Sequence, residues 1–224
     1  MRIKILPILF LSIISSGKLP GQSHFTLYAG TAVPVGNFSS DDSDRDYSGG
    51  ANVGFNIGGK YLYNFTQTNV NLFLSADFNY NGLKESVKDD IKSNLEDVGL
   101  YVEIDYYKFI NVPLLTGLNL NIPADENLSL WLESGIGLDI LKITNMTIYT
   151  NNEKATAQFN SSTQFAFTVG GGLKIKDKYL IGVHYNGLGK HRPKGKINSN
   201  GQSIRVNDYK IEVSTLSINI GILF

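Results

Sequence analysis

The chain has 224 residues, with Lys plus Arg and Asp plus Glu both at 20, so the formal net charge is zero and no bulk basic field exists to hold nucleic acid. Cysteine is absent, which excludes disulfides, thiolate catalysis, Cys-ligated zinc, iron–sulfur clusters and the lipidated cysteine of a bacterial lipoprotein. With 23 Gly, 12 Tyr and 12 Phe but only 18% charged residues, the composition suits strands, and the length suits one domain or one closed barrel.

The first element is an export signal. Arg2 and Lys4 precede an apolar run from Ile5 to Ile14, followed by small and polar residues, which is the layout of a secretory signal peptide. The run falls short of the ~20 apolar residues that a membrane-spanning helix needs. The expected division is a cleaved signal over 1–21 and a mature domain over 22–224.

Period-two alternation dominates the mature chain. "HFTLYAGTAV" opens it; "ANVGFNIGGKYLY" sets Val53, Phe55 and Ile57 against Asn52, Asn56 and Lys60, and "NVNLFLSADFNYN" sets Leu72, Leu74 and Phe78 against Asn71, Ser75 and Asp77. "YYKFINVPLLTGLNLNI" follows, less regularly, and then "NLSLWLESGIGLDIL" with Leu130, Leu132 and Ile136 opposite Trp131, Glu133 and Gly135. "TQFAFTVGGGLKIK", "KYLIGVHYNG" and the terminal "LSINIGILF" bring the count of strands to eight.

Connection lengths alternate: long at 34–48, short at 64–68, long at 82–104, short at 121–126, long at 144–161, short at 176–178 and long at 188–211. That asymmetry predicts an all-β fold, an eight-stranded antiparallel up-and-down transmembrane β-barrel with short periplasmic turns and long extracellular loops. Parity by itself does not say which face is inside. A soluble lipocalin-like carrier would turn the apolar parity inward, around a lipophilic ligand. The export signal, the loop alternation and the apolar last strand ending on Phe224 favour the membrane arrangement, with Phe224 in the periplasmic aromatic girdle.

These segments resemble a family. "FINVPLLTGLNL", "WLESGIGLDIL", "FTVGGGLKI" and "VHYNGLGKHRP" resemble, in order, the (I/V)-P-L-L, G-x-G, G-x-G-(L/I) and Y-x-x-G-L segments of the outer-membrane β-barrel domain family that includes PorT-like proteins. The likeness covers residues 24–224. It implies a Gram-negative outer-membrane location and, for PorT-like members, association with a secretion apparatus. "INIGILF" is similar to the C-terminal signal read by the barrel-assembly machinery, with Phe224 as its last residue.

Lys60, Asp77, Glu133, Asp139, Lys174 and His184 share the lumen parity and are expected to pair into a polar plug, because charges in a narrow barrel are costly unless paired. A proton-labile gate at Glu133 or His184 is the functional alternative. The histidines His24, His184 and His191 are scattered, and no H-E-x-x-H or G-x-S-x-G motif occurs, so neither enzyme activity nor a cofactor is expected.

In the loops, Asp41, Asp42, Asp44 and Asp46 are an acidic cluster without the glycine and distal Glu of a calcium loop. His191, Arg192, Lys194 and Lys196 are a basic segment, extended by Arg205 and Lys210, suited to anionic lipopolysaccharide. Leu83, Val87, Ile91 and Leu95 recur at four-residue spacing, predicting an amphipathic helix that packs on the other loops or offers its apolar side to an envelope protein. The expected function is loop-mediated binding or membership of an envelope complex. The rival is a narrow gated channel.

Overall fold

A computed structural model describes residues 23–42, 45–65, 68–97, 102–150, 153–199, 202–206 and 209–224. The expected signal peptide and Asp44 lie outside the described residues. Strands β1 (Ser23–Pro34), β2 (Gly54–Asn64), β3 (Val70–Asn81), β5 (Phe109–Pro123), β6 (Leu128–Ile143), β9 (Ser162–Ile175), β10 (Tyr179–His191) and β13 (Ile211–Leu223) close into one barrel in the order β1-β13-β10-β9-β6-β5-β3-β2. Every neighbouring pair is antiparallel, and β1 seals onto β13 from Thr26↔Leu223 to Pro34↔Thr215. The terminal residue completes the seam: Phe224 N–H donates to Phe25 O at 2.8 Å and Phe25 N–H to Phe224 O at 3.1 Å.

One end of the barrel holds the seam's termini and the short connections 65–69, 124–127 and 176–178, the last tightened by Lys176 and Asp177, both at φ 51°. The other end carries the long connections.

The apolar parity points outward. Ile57, Leu132, Ile136, Val169, Ile218 and Ile220 are exposed on the wall, and Ile220 keeps 68% of its surface free. Aromatic residues flank this belt, with Phe65, Tyr179 and Phe224 towards the turns and Phe55, Phe165, Phe167 and Tyr185 towards the loops. A continuous apolar belt of this extent is untenable in water and matches hydrocarbon between two interfaces. The inverted, carrier-like arrangement is therefore not the one adopted.

Three features differ from the sequence reading. First, polar side chains do not fill the whole lumen, although Asn81, Asn111, Asp139 and His191 are still buried in its loop half. Towards the loops it holds an apolar core of Phe38, Leu83, Phe109, Leu141, Ile143 and Ile211, all buried. Second, β10 runs on to His191 through a bulge at Gly187/Gly189 that reverses its parity, and β13 starts at Ile211, so the last loop is shorter than the 188–211 expected. Third, the loops build a sheet of their own. Strands β4 (Glu103–Asp105), β7 (Met146–Tyr149), β8 (Lys154–Phe159), β11 (Gly195–Ser199) and β12 (Gln202–Val206) pair in the order β12-β11-β8-β7-β4. Since β7 follows β6, β8 precedes β9 and β11 follows β10, this sheet repeats the strand order of the wall it rises from.

Candidate functional site

The lumen is bridged at mid-height by side chains from β2, β6 and β10. Lys60 Nζ pairs with Glu133 Oε1, His184 Nε2 approaches the same oxygen at 2.8 Å, and Asn119 Nδ2 donates to Glu133 Oε2 at 3.0 Å. The ammonium group is also surrounded by aromatic rings, with the centroids of Tyr28, Phe73 and Trp131 at 5.6, 5.1 and 5.5 Å. Trp131 in turn lies against the His184 imidazole, ring centroids 5.2 Å apart. Asp77 lines the same small cavity as Lys60, Glu133 and His184 and accepts from Asn56 Nδ2 at 3.4 Å. Each charge thus has a partner, which a narrow barrel requires.

The remaining space is small. Two cavities, about 40 and 20 Å3, flank the Lys60–Glu133 pair, room for isolated waters but not for a solute. Below them a 370 Å3 vestibule opens at the turn end, lined by Asn64, Asn69, Asn71 and Asn121, with Trp131 between it and the plug.

Of the expected plug residues, Lys60, Asp77, Glu133 and His184 come together. Lys174 does not: it sits at the turn-end rim and pairs with Asp177 at 2.8 Å. Asp139 is fully buried higher up, where its Oδ2 lies 3.2 Å from His191 Nε2, which also reaches Leu188 O at 2.9 Å. His191 is therefore no surface contact for lipopolysaccharide; the bulge in β10 turns it inward. Tyr28, Phe73, Asn119 and Trp131 complete the plug. Asn119 is recoverable from sequence, because the 124–127 turn sets the register that places it opposite Glu133.

The mouth is closed by the chain itself. Phe38, from a 3-10 turn at Gly36–Ser39, stacks edge-on against Phe109 at 5.2 Å. Helix α1 (Glu85–Glu96) turns Val87 and Ile91 onto the core beneath it, while Leu83 precedes the helix in a bridge to Ala51. Leu83, Val87 and Ile91 are thus used within the protein, with Leu95 half-buried. Tyr106, which packs on the same core, donates from Oη to Lys88 O at 2.9 Å and so helps fix the helix there.

The loop charges are sorted in a way the sequence does not show. Asp41 accepts from Ser86 Oγ at 2.8 Å and lies 3.8 Å from Lys84 Nζ, so it ties the first loop to the start of α1. The Ser86 bond first, then its own backbone N–H and Lys84, hold the Asp41 carboxyl below the usual range. A depressed carboxylate contributes stability above its unfolded pKa and loses it as pH falls through its folded pKa. Acidification into and below the ordinary aspartate range should therefore release α1 from the first loop, read as faster amide exchange over 85–96; exchange unchanged in acid would count against this tether.

Among the described residues, no group of His, Asp and Glu could hold a metal ion. Arg192 donates to Tyr47 Oη at 2.9 Å, and Lys190 and Lys210 lie over the Tyr47 ring at 5.1 and 6.0 Å. Lys194 and Lys196 stand apart, on the loop sheet. The basic segment is therefore three separate environments.

No family model matches the chain, and no curated protein does. Among solved structures, the barrel resembles a major outer membrane protein from Thermus thermophilus, with a TM-score of 0.52, 10% identity and coverage of 91% of this chain and 100% of that one. The fold is that of an outer-membrane β-barrel. The outer membrane protein OprG from Pseudomonas aeruginosa is also similar, with a TM-score of 0.49, 11% identity and coverage of 91% and 97%. So is Ail, the attachment invasion locus protein of Yersinia pestis, with a TM-score of 0.47, 18% identity and coverage of 91% and 99%.

Proposed function

We propose that this outer-membrane barrel is non-enzymatic and non-conducting, and that it acts through its extracellular loops, by binding at the cell surface or as a subunit of an envelope complex. The observation that carries this reading is the contrast between its two ends. The lumen is filled by the Lys60–Glu133–His184 bridge and capped by an apolar core, whereas the loops form an ordered sheet that continues part of the wall and a helix that packs over the mouth. Ordering that much loop against its conformational entropy is unnecessary for a passive membrane anchor and useful for presenting a fixed surface.

Exposed Lys142 and Lys190 sit on the loop-side ends of β6 and β10, just beyond the outward aromatics, where they would meet anionic headgroups of outer-membrane lipids. The subunit form of the proposal draws on the PorT-like resemblance and places the chain beside a secretion apparatus.

Two measurements test the reading. Expressed with its leader in a Gram-negative host, the protein should appear in the outer membrane with a gel mobility that changes on boiling. In planar bilayers it should give no steady open events. Stable conductance would replace this reading with the gated channel; recovery as a soluble periplasmic protein would remove the membrane placement itself.

A further inference from the structure

On the loop sheet, the register places Gln158 of β8, Lys196 of β11 and Arg205 of β12 in one row across three adjacent strands. Side chains directly opposite on antiparallel strands share a face, so Lys196 and Arg205 are like charges held side by side. That juxtaposition disfavours the sheet unless an anion lies between them.

Lys194 and Asn160 stand on the same face at the base of the row, with Asn145 and Ser203 beside them, and together they line a cleft of about 750 Å3 that contains no carboxylate. Lys84, Lys88, Lys92, Lys174 and Lys190 each have a carboxylate within 4.0 Å, whereas Lys194, Lys196 and Arg205 have no ion-pair partner among the described residues. The opposite face of the sheet is apolar and is spoken for at its base, where Phe159 packs on Tyr209. The cleft's base lies close to the barrel rim, since Asn145, Asn160 and Lys194 follow or precede the ends of β6, β9 and β10 by a few residues. Its cations are therefore near the level at which hydrocarbon gives way to headgroups.

We propose that this cleft binds phosphate groups carried on sugar, presented by the glycolipid headgroups of the outer leaflet. The proposal rests on the outer-membrane reading above. Arg205, Lys196 and Lys194 supply charge-assisted donors to phosphate oxygens, with the Arg205 guanidinium able to engage two at once. The amides of Gln158, Asn145 and Asn160 and the Ser203 hydroxyl suit sugar hydroxyls. An anion in the row also relieves the Lys196–Arg205 repulsion, so binding should firm the loop sheet.

The test uses the full chain folded in an uncharged detergent, with bound lipid counted by native mass spectrometry. Diphosphorylated lipid A, its dephosphorylated form and a soluble sulfated disaccharide are the probes. Wild-type protein should prefer the phosphorylated glycolipid by about tenfold or more, and Lys196→Gln with Arg205→Gln should abolish that preference while leaving the heat-dependent gel shift intact. Lys92→Gln on α1 should change nothing. Equal binding of the dephosphorylated lipid, or an unaltered preference in the double variant, would overturn the proposal; binding of the sulfated disaccharide without binding of the glycolipid would overturn the glycolipid source. A heat-modifiable outer-membrane barrel indifferent to phosphate sinks this inference alone, whereas a soluble protein with no gel shift sinks the membrane reading first.

Discussion

Glu133→Ala is expected to lower folding stability by about 3–5 kcal/mol, because it leaves the Lys60 ammonium buried without its counter-charge. The aromatic cage of Tyr28, Phe73 and Trp131 softens that loss but cannot replace a carboxylate, since a ring face is worth ~2 kcal/mol when desolvated. The variant also strips His184 and Asn119 of their acceptor, so two further polar groups lose partners in the same step. Replacing both charges, with Lys60→Met and Glu133→Leu, removes the stranded ion and should recover most of the loss, since well-packed apolar groups often equal a buried pair. Urea unfolding in lipid vesicles provides the measurement, followed by the emission of Trp131, the chain's single Trp. A loss below about 1 kcal/mol for the single variant, the range of an exposed pair, would mean that water reaches the pair and that the lumen is not sealed there.

Parity makes the barrel legible. On each wall strand the residue type alternates with the environment, lipid outside and packed lumen inside, and the three short turns fix register between neighbours. That register also makes the Lys60–Glu133–His184 meeting an inference about one level of the barrel, although only closure brings β2, β6 and β10 to face one another. What parity cannot carry is depth. Phe109, Leu141 and Val213 share the lumen parity with Asn119, Glu133 and Asn219, yet they belong to an apolar core under the loops. His191 is read as a loop residue because one extra residue at the Gly187/Gly189 bulge breaks the alternation, although β10 continues past it with its faces reversed. The loop sheet is invisible to the same test because its strands are short, with β7 of 4 residues and β11 and β12 of 5 each, too few for a period to stand out from turns rich in Asn and Ser. The α1 periodicity is real, but it reports packing against the protein's own mouth.

Gly182→Ala is the second substitution expected to have a large effect, and it acts on the plug from a residue that carries no chemistry. Gly182 and Gly172 are directly paired on β10 and β9, and both face the lumen beneath Trp131. A Cβ at Gly182 would lie 2.2 Å from Trp131 Cζ2, and one at Gly172 2.8 Å from the same atom. The indole has little freedom to retreat, with His184 against its ring and the Lys60 ammonium 5.5 Å from its centroid. A methyl group there should therefore displace Trp131 and loosen the Lys60–Glu133 bridge, at a cost of about 1–3 kcal/mol for overpacking. Trp131→Leu makes room, so in the pair Gly182→Ala with Trp131→Leu the two losses should not add, and the double variant should be more stable than their sum predicts. Thermal unfolding followed by the gel mobility shift measures all members of that cycle without relying on tryptophan emission. Simple additivity would show that Trp131 moves aside freely and that the ring is not wedged between the glycine pair and the bridge. A coupling of the expected sign would mean that the paired glycines hold the indole in place, and that the Lys60–Glu133 bridge above it keeps its geometry because nothing below it can shift.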